Sequence, residues 1–298
     1  MTGWRDHLEA ELALDVAQLD RALGLQLHER AYVEALLDPR GHLFQRLEYV
    51  GDSILDAVVV QSLVLVEPWT EPDLSRVTGT QQALVSDHAL GRVAARRGLP
   101  EVRAFDASRH RLADRVEAAI GAAWADTGIV AAERVARHLV VDPGLRDLPR
   151  VAGVPEVDDD HRYLEAARAC GHEPVTPAWF GAAAGRGGEA PQRRLAVVGN
   201  AVLEAAFATA QYVDSPLARE SELSEERRTA TSNAAIAARA RGLRLVAGGG
   251  PGDRRSVADG VQALVGAAAM DGGLVRGLEV AAAVLRRPFV PGPVELLP

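Results

Sequence analysis

The chain of 298 residues carries one phrase twice, and this internal repeat constrains the fold more than any other feature. Residues 45–56 read QRLEYVGDSILD, and residues 193–204 read RRLAVVGNAVLE. Corresponding residues lie 148 positions apart, which is about the length of an ordinary single domain. We therefore predict two tandem domains of similar structure, at residues 1–150 and 151–298.

The composition indicates an all-α fold. Hydrophobic residues make up 48% of the chain and aromatic residues only 4%, so the core must be built from Leu, Val and Ala, as in packed helices. Apolar residues at helical spacing predict five helices in the first half. They cover residues 8–19, 32–36, 46–66, 81–97 with its end at Gly98, and 112–125. We predict a linker at 142–160, which is rich in Pro and Asp.

Charge, cysteine content and hydropathy exclude several classes of protein. A net charge of −8 argues against non-specific coating of nucleic acid, so any RNA contact must be local. Cys170 is the single cysteine, which excludes an intramolecular disulfide and a thiolate zinc site, and we interpret it as structural. The sequence has no uninterrupted run of 18 apolar residues and no signal-peptide pattern at the N-terminus. We expect a soluble cytoplasmic protein.

Two pairs of acidic residues in the first half have the spacing of a metal site. Glu48 and Asp52 lie four residues apart on a predicted helix, so both carboxylates project from one face. Asp114 and Glu117 lie three apart on another helix and also share a face. Carboxylate oxygens are the ligands that hard divalent cations prefer. These four residues are therefore candidate ligands of one cation.

The second half has lost most of these acids. Ala196 and Asn200 stand at the positions of Glu48 and Asp52, and Gln262 stands at the position of Glu117. Asp259 is retained, and Glu220 corresponds to Glu71 of the first half. The remaining charge is too low to hold a divalent ion well, so we predict a degenerate second site formed by Ala196, Asn200, Glu220, Asp259 and Gln262.

The residues that carry these acids resemble the signature of the ribonuclease III family. Residues 46–55, RLEYVGDSIL, are similar to the family's first motif, and residues 112–121, LADRVEAAIG, are similar to its second. The resemblance extends over about residues 15–140 and again over 160–287. It implies an all-helical nuclease domain that works as a dimer and hydrolyses phosphodiester bonds of double-stranded RNA with Mg²⁺, for which Mn²⁺ can substitute.

By this resemblance the catalytic and metal-binding acids are Glu48, Asp52, Asp114 and Glu117, with Glu71 as a further acid near the metal. It also implies that the two halves pack as an intramolecular pseudo-dimer. Two departures from the family pattern bear on activity. Gln45 replaces the acid that usually opens the first motif, and no double-stranded RNA-binding domain follows the second repeat. We therefore expect RNA affinity to come from the nuclease domains alone.

The leading hypothesis is an endoribonuclease with one active site per chain, which should nick one strand. Two alternatives stay open: a non-cleaving RNA-binding or ribosome-associated scaffold, and a metal-dependent enzyme of this fold that acts on a substrate other than RNA. Association of two chains would restore two sites. The predicted phosphate contacts flank the motif helices and are Arg76, Arg92, Arg96, Arg227 and Arg228.

Overall fold

The structure is a computed structural model that describes residues 5, 8, 10–38, 41–66, 74–99, 109–146, 148, 153–240, 243, 245 and 254–294. Within these ranges the ordered elements are helices and no strand occurs, which confirms the all-α prediction. The first half contains α1 (Ala10–Leu23), α2 (Arg30–Leu37), α3 (His42–Val66), α4 (Ser75–Val85), α5 (Asp87–Arg97), α6 (Arg109–Thr127), α7 (Ile129–Ala136) and, after a π-helical turn (Arg137–Val141), the short α8 (Asp142–Gly144). The second half contains α9 (His161–Ala169), α10 (Pro177–Ala183), α11 (Glu189–Asp214), α12 (Glu220–Ala230), α13 (Asn233–Ala240) and α14 (Arg254–Leu285).

The helix predicted at 81–97 is wrong at its start, because two helices meet inside it. Ser86 has an extended backbone, with φ −65° and ψ 148°, and its hydroxyl accepts a hydrogen bond from the Ala89 amide at 3.3 Å. This side-chain cap starts α5 and separates it from α4. The predicted end at Gly98 is confirmed: Gly98 adopts φ +66°, the left-handed conformation that commonly terminates helices.

The long helix α3 forms the centre of the first half. By length and composition it is apolar enough to cross a membrane, with a mean hydropathy of 1.6, although the sequence has no uninterrupted run of 18 apolar residues. In the structure 78% of that segment is buried inside the protein, because α3 packs against α6 on one side and α11 on the other. It is therefore the core helix of this fold.

Helices α3 and α6 touch backbone to backbone through two glycines. A Cβ atom added to Gly51 would lie 1.8 Å from the Glu117 carbonyl oxygen, and one added to Gly121 would lie 2.0 Å from the Leu47 carbonyl oxygen. The second half repeats this contact, since a Cβ on Gly199 of α11 would lie 1.7 Å from the Gln262 carbonyl oxygen of α14. Only glycine permits such an approach, and the approach brings the first motif of each half against its second motif.

The two halves share one continuous hydrophobic core, and polar contacts cross between them. The buried Arg46 guanidinium of α3 donates to the carbonyl oxygens of Tyr212 and Ser215, at the end of α11. The C-terminal segment returns to the first half, where the Val294 amide donates to the Ala125 carbonyl at 2.7 Å. The boundary predicted at residue 150 stays a prediction, because packing joins the halves into one body.

Candidate active site

Three of the predicted ligands lie together in the first half. Glu48 on α3 and Asp114 and Glu117 on α6 each offer one carboxylate oxygen, and these oxygens all lie within 4.8 Å of one another. Each of the three residues is partly exposed. The pairs come from separate helices, and the close approach at Gly51 and Gly121 brings them to one place. An all-oxygen set of this size suits a hard divalent cation and leaves positions for water or a phosphate.

Burial and mutual repulsion raise the pKa values of Glu48 and Glu117. Burial, followed by the charges of Asp52, Glu48 and Asp114, raises the pKa of Glu117 from 4.5 to about 9. Burial, followed by the charges of Asp114, Glu220 and Asp52, raises the pKa of Glu48 to about 7. A bound cation would relieve this repulsion, so the electrostatics of the cluster fit a metal site.

The fourth predicted ligand, Asp52, lies next to the cluster but has a cationic partner. Its Oδ2 is 3.5 Å from the Arg227 guanidinium, which comes from α12 in the second half. Burial raises the pKa of Asp52, and Arg227 opposes that shift. Asp56, one turn further along α3, accepts a hydrogen bond from Gln81 at 3.1 Å, and its pKa is raised by burial and by the charge of Asp52 to about 6.

The assignment of Glu220 to the degenerate second site is corrected by the structure. The Glu220 carboxylate raises the pKa values of both Glu48 and Asp52, so it lies beside the first site although it belongs to the second half. It lines an open cavity of about 790 Å³ together with Glu204 and Arg227. Glu71, its counterpart in the first half, lies outside the described residues.

The other four residues predicted for the second site do come together. Ala196, Asn200, Asp259 and Gln262 line one cavity of about 430 Å³, which Leu74 from the first half also borders. Among the described residues, the three-acid cluster of the first half has no counterpart in this cavity. Its polar groups are mainly neutral amides, which supply no charge to a divalent ion.

The motif acids of the first half lie in a part of the chain that is similar to known proteins. The model of the family described as Ribonuclease III domain matches residues 45–128, which include all four motif acids of the first half. Ribonuclease 3 from Chloroflexus aggregans is 30% identical over 202 residues, covering 53% of this chain and 87% of that protein. The chain belongs to the ribonuclease III family. It is a ribonuclease III-like endoribonuclease.

Other relatives and a solved structure agree on family and fold. Ribonuclease 3 from Treponema pallidum is 28% identical over 191 residues, covering 57% of this chain and 71% of that protein. The chain spans less of Ribonuclease 3 from Delftia acidovorans, which is 35% identical over 105 residues, 32% of this chain and 45% of that protein. The crystal structure of Dicer from Giardia intestinalis superposes with a TM-score of 0.56 at 13% identity, covering 84% of this chain and 56% of that one. This likeness shows the fold. The superposed part is longer than either half of the chain, so it includes residues of both halves.

In this ribonuclease III-family chain a hydrogen-bonded series of side chains links the second cavity to the first site. Gln262 Nε2 donates to Asn200 Oδ1 at 2.9 Å, and Asn200 Nδ2 donates to Glu204 Oε1 at 2.9 Å. Glu204 is also close enough to Arg227 and Asp52 for both charges to shift its pKa, although burial raises that pKa most. The amides that replaced the acids therefore orient an acid that faces the first site.

The predicted phosphate contacts divide into two groups. Arg227 lies in the first site, and the neighbouring Arg228 is exposed at the edge of the 790 Å³ cavity, where it pairs with Glu225. Arg76 is exposed on α4, and Arg92 and Arg96 are exposed on α5, where the Arg96 Nε donates to the Arg92 carbonyl oxygen at 3.3 Å. Binding of RNA by these arginines stays a prediction.

Sequence reasoning missed the two glycines and the contributions of the second half to the first site. The glycines had a signal, because Gly51 and Gly121 recur as Gly199 and Gly266 in the repeat. Glu204 also had one, since it matches Asp56 and keeps an acid in the damaged copy. The contact of Arg227 with Asp52 had no signal in the spacing, because it joins residues 175 positions apart.

Proposed function

We propose that this protein is a Mg²⁺-dependent endoribonuclease that cuts one strand of double-stranded or structured RNA at a single site in its first half. One observation carries the proposal. The carboxylates of Glu48, Asp114 and Glu117 converge within 4.8 Å of one another, whereas the matching positions of the second half hold Ala196, Asp259 and Gln262.

The proposed chemistry follows from what these side chains can bind. Mg²⁺ would supply an activated water and would stabilise the charge that develops on the phosphate oxygens. Glu48, Asp114 and Glu117 would hold the ion. With its pKa near 9, Glu117 carries a proton at neutral pH when no cation is present, so cation binding requires that proton to leave. Metal affinity should therefore rise with pH.

In this proposal the second half packs against the first as a pseudo-dimer partner and completes its site. The contact between α3 and α11 and the shared core support that arrangement. Glu220 and Arg227 reach the first site from α12, and both also line an open cavity of about 790 Å³. The exposed arginines Arg76, Arg92, Arg96 and Arg228 would then contact the phosphate backbone outside the site.

Cleavage of a duplex labelled on one strand at a time tests the proposal directly. In Mg²⁺, we expect cuts on only one strand at each binding position. Glu117→Gln should lower kcat/KM by more than about 100-fold, since even outer-shell partners of metal ligands are worth 10–100-fold. Asp259→Asn in the second cavity is the matched control and should retain activity.

Two outcomes would contradict the proposal. Equal cutting of both strands with staggered ends by a monomer would exclude a single site per chain. Cleavage that survives Glu117→Gln would exclude the acid cluster as the metal site. The solution mass must be measured in the same buffer, because a dimer of the 31.6 kDa chain would bring two first-half sites together.

A further inference from the structure

One arginine of the second half is built into the acid site of the first. Arg227 on α12 places its guanidinium 3.5 Å from Asp52, and its Nη1 donates to the Ser53 hydroxyl. The same guanidinium carbon lies 4.9 Å from the centre of the Tyr49 ring. The guanidinium is therefore in contact with three side chains of α3, namely a carboxylate, a hydroxyl and an aromatic ring.

The groups that hold Arg227 are themselves fixed. The Tyr49 hydroxyl donates to Gln211 Oε1 at 2.6 Å, and it also lies 3.3 Å from the Leu223 carbonyl oxygen of α12. Gln211 in turn donates to Glu226 on α12 at 2.7 Å. The Arg227 side chain is only 18% exposed. Such a side chain keeps one orientation, and less entropy is lost when it binds a ligand.

The charges around Arg227 explain why a cation is needed there. Its electrostatic neighbours include Asp52, Asp56 and Glu204, all of which are acids with raised pKa values. Beside the contact of Arg227 with Asp52, the carboxylates of Glu48, Asp114 and Glu117 converge within 4.8 Å of one another. One divalent ion is sufficient for those three, whereas a second ion would have to share Asp52 with a guanidinium.

We propose that Arg227 takes the place of a second divalent cation beside Asp52, so that the site binds one ion and presents the Arg227 guanidinium to the RNA phosphate. This inference rests on the proposed function. The planar guanidinium matches two oxygens of a phosphodiester, and it is always charged, so it supplies a permanent positive charge where a metal would depend on concentration and pH. The second half then acts directly on the substrate of the first.

Calorimetric titration of the full chain with MnCl₂ in the absence of RNA tests the number of ions. We expect one ion per wild-type chain and a second ion in Arg227→Ala, because removing the guanidinium leaves Asp52 available. Arg227→Lys keeps the charge and should still bind one ion. Arg168→Ala is the matched control, because the Arg168 side chain on α9 is exposed and pairs with Glu173 at 3.1 Å, and this variant should also bind one ion.

Binding of a short RNA duplex in CaCl₂, without cleavage, tests the phosphate contact. We expect Arg227→Ala to weaken binding about tenfold, the effect of losing one hydrogen-bonded charged contact, and Arg227→Lys to weaken it less. Thermal unfolding of each variant identifies a merely misfolded one, and Arg227→Lys carries the test if Arg227→Ala does not fold.

The two proposals fail in different ways. Two ions in the wild-type chain, or one ion in a folded Arg227→Ala, would overturn the role of Arg227 and leave the endoribonuclease proposal intact. Unchanged duplex binding by Arg227→Ala would overturn its contact with phosphate. Absence of any Mn²⁺ binding that depends on Glu117 would overturn both proposals.

Discussion

At the scale of single residues, the first site is a set of like charges held close together by the fold. Glu117 experiences the charges of four other acids, Asp52, Glu48, Asp114 and Asp56, in addition to burial. Such an arrangement costs folding free energy when all the carboxylates are ionised. A bound cation would recover this free energy. The free energy of unfolding should therefore depend both on pH and on the concentration of divalent metal.

We expect the metal-free protein to lose stability as pH rises. The pKa of Glu117 is about 9 in the folded chain and near its ordinary 4.5 when unfolded, so its contribution is complete below pH 4.5 and is lost as pH rises through 9. Thermal unfolding in EDTA between pH 5 and 9 should show a falling Tm. Glu117→Gln should flatten this dependence and raise the Tm at pH 9 by about 2–4 °C, the shift that about 1 kcal/mol produces in domains of 150–250 residues.

The control is Glu34→Gln, which removes an exposed ion pair with Arg30 at 2.6 Å and should change the free energy of unfolding by less than about 0.5 kcal/mol. Added Mn²⁺ should raise the Tm of the wild-type chain at pH 8 but not that of Glu117→Gln. An identical slope in wild type and Glu117→Gln without metal would show that the fold does not hold the acids in repulsive contact.

At the scale of elements, the site depends on the distance between α3 and α6. The spacing of the acids placed each pair on one helical face, but it did not say which faces meet. The contact at Gly51 and Gly121 decides this, because the backbones can approach only where no side chain intervenes. Apolar periodicity also has a limit here. It continues across Ser86, so it predicted one helix where the Ser86 cap separates α4 from α5.

We expect Gly51→Ala to destabilise the protein and to weaken metal binding together. The added Cβ would lie 1.8 Å from the Glu117 carbonyl oxygen, a backbone atom that no rotamer change can move. Overpacking of this kind typically costs about 1–3 kcal/mol, and the helices must separate, which draws Glu48 away from Glu117. Urea unfolding and Mn²⁺ calorimetry measure the two effects.

Gly79→Ala provides the matched control, because Gly79 lies in α4 and nothing approaches within 4 Å of its added Cβ. This variant should gain about 0.5–1 kcal/mol, since alanine favours a helix over glycine. Equal stability changes for the two substitutions would mean that α3 and α6 do not touch at Gly51.

At the scale of the whole molecule, side chains of the second half reach the acid site of the first half. Its retained acids Glu204 and Glu220 act on Asp52, and its amides Asn200 and Gln262 form the series of hydrogen bonds that ends at Glu204. The shared core and the Arg46 contacts make the halves depend on each other for stability.

We expect Arg46→Ala to lower the free energy of unfolding by about 2–4 kcal/mol, because it removes the buried guanidinium that donates to the carbonyl oxygens of Tyr212 and Ser215. The guanidinium is buried and also lies 4.4 Å from the centre of the Tyr212 ring. Urea unfolding followed by tryptophan fluorescence should show one transition for both halves. Arg30→Ala, on the exposed pair with Glu34, should change stability by less than about 0.5 kcal/mol. Two separated transitions in the wild type would contradict the shared core.

The all-α class, the four motif acids, the family and the loss of acids in the second copy can all be predicted from the sequence alone. These features are local: helical periodicity fixes which side chains share a face within a few turns, and a motif is read from adjacent letters. The sequence did not predict that Glu220, Glu204 and Arg227 lie beside the acids of the other half, or that a guanidinium lies beside Asp52; the packed structure shows both. Such contacts join residues more than 100 positions apart, and they exist because helix packing, rather than spacing, brings α3, α6, α11 and α12 together.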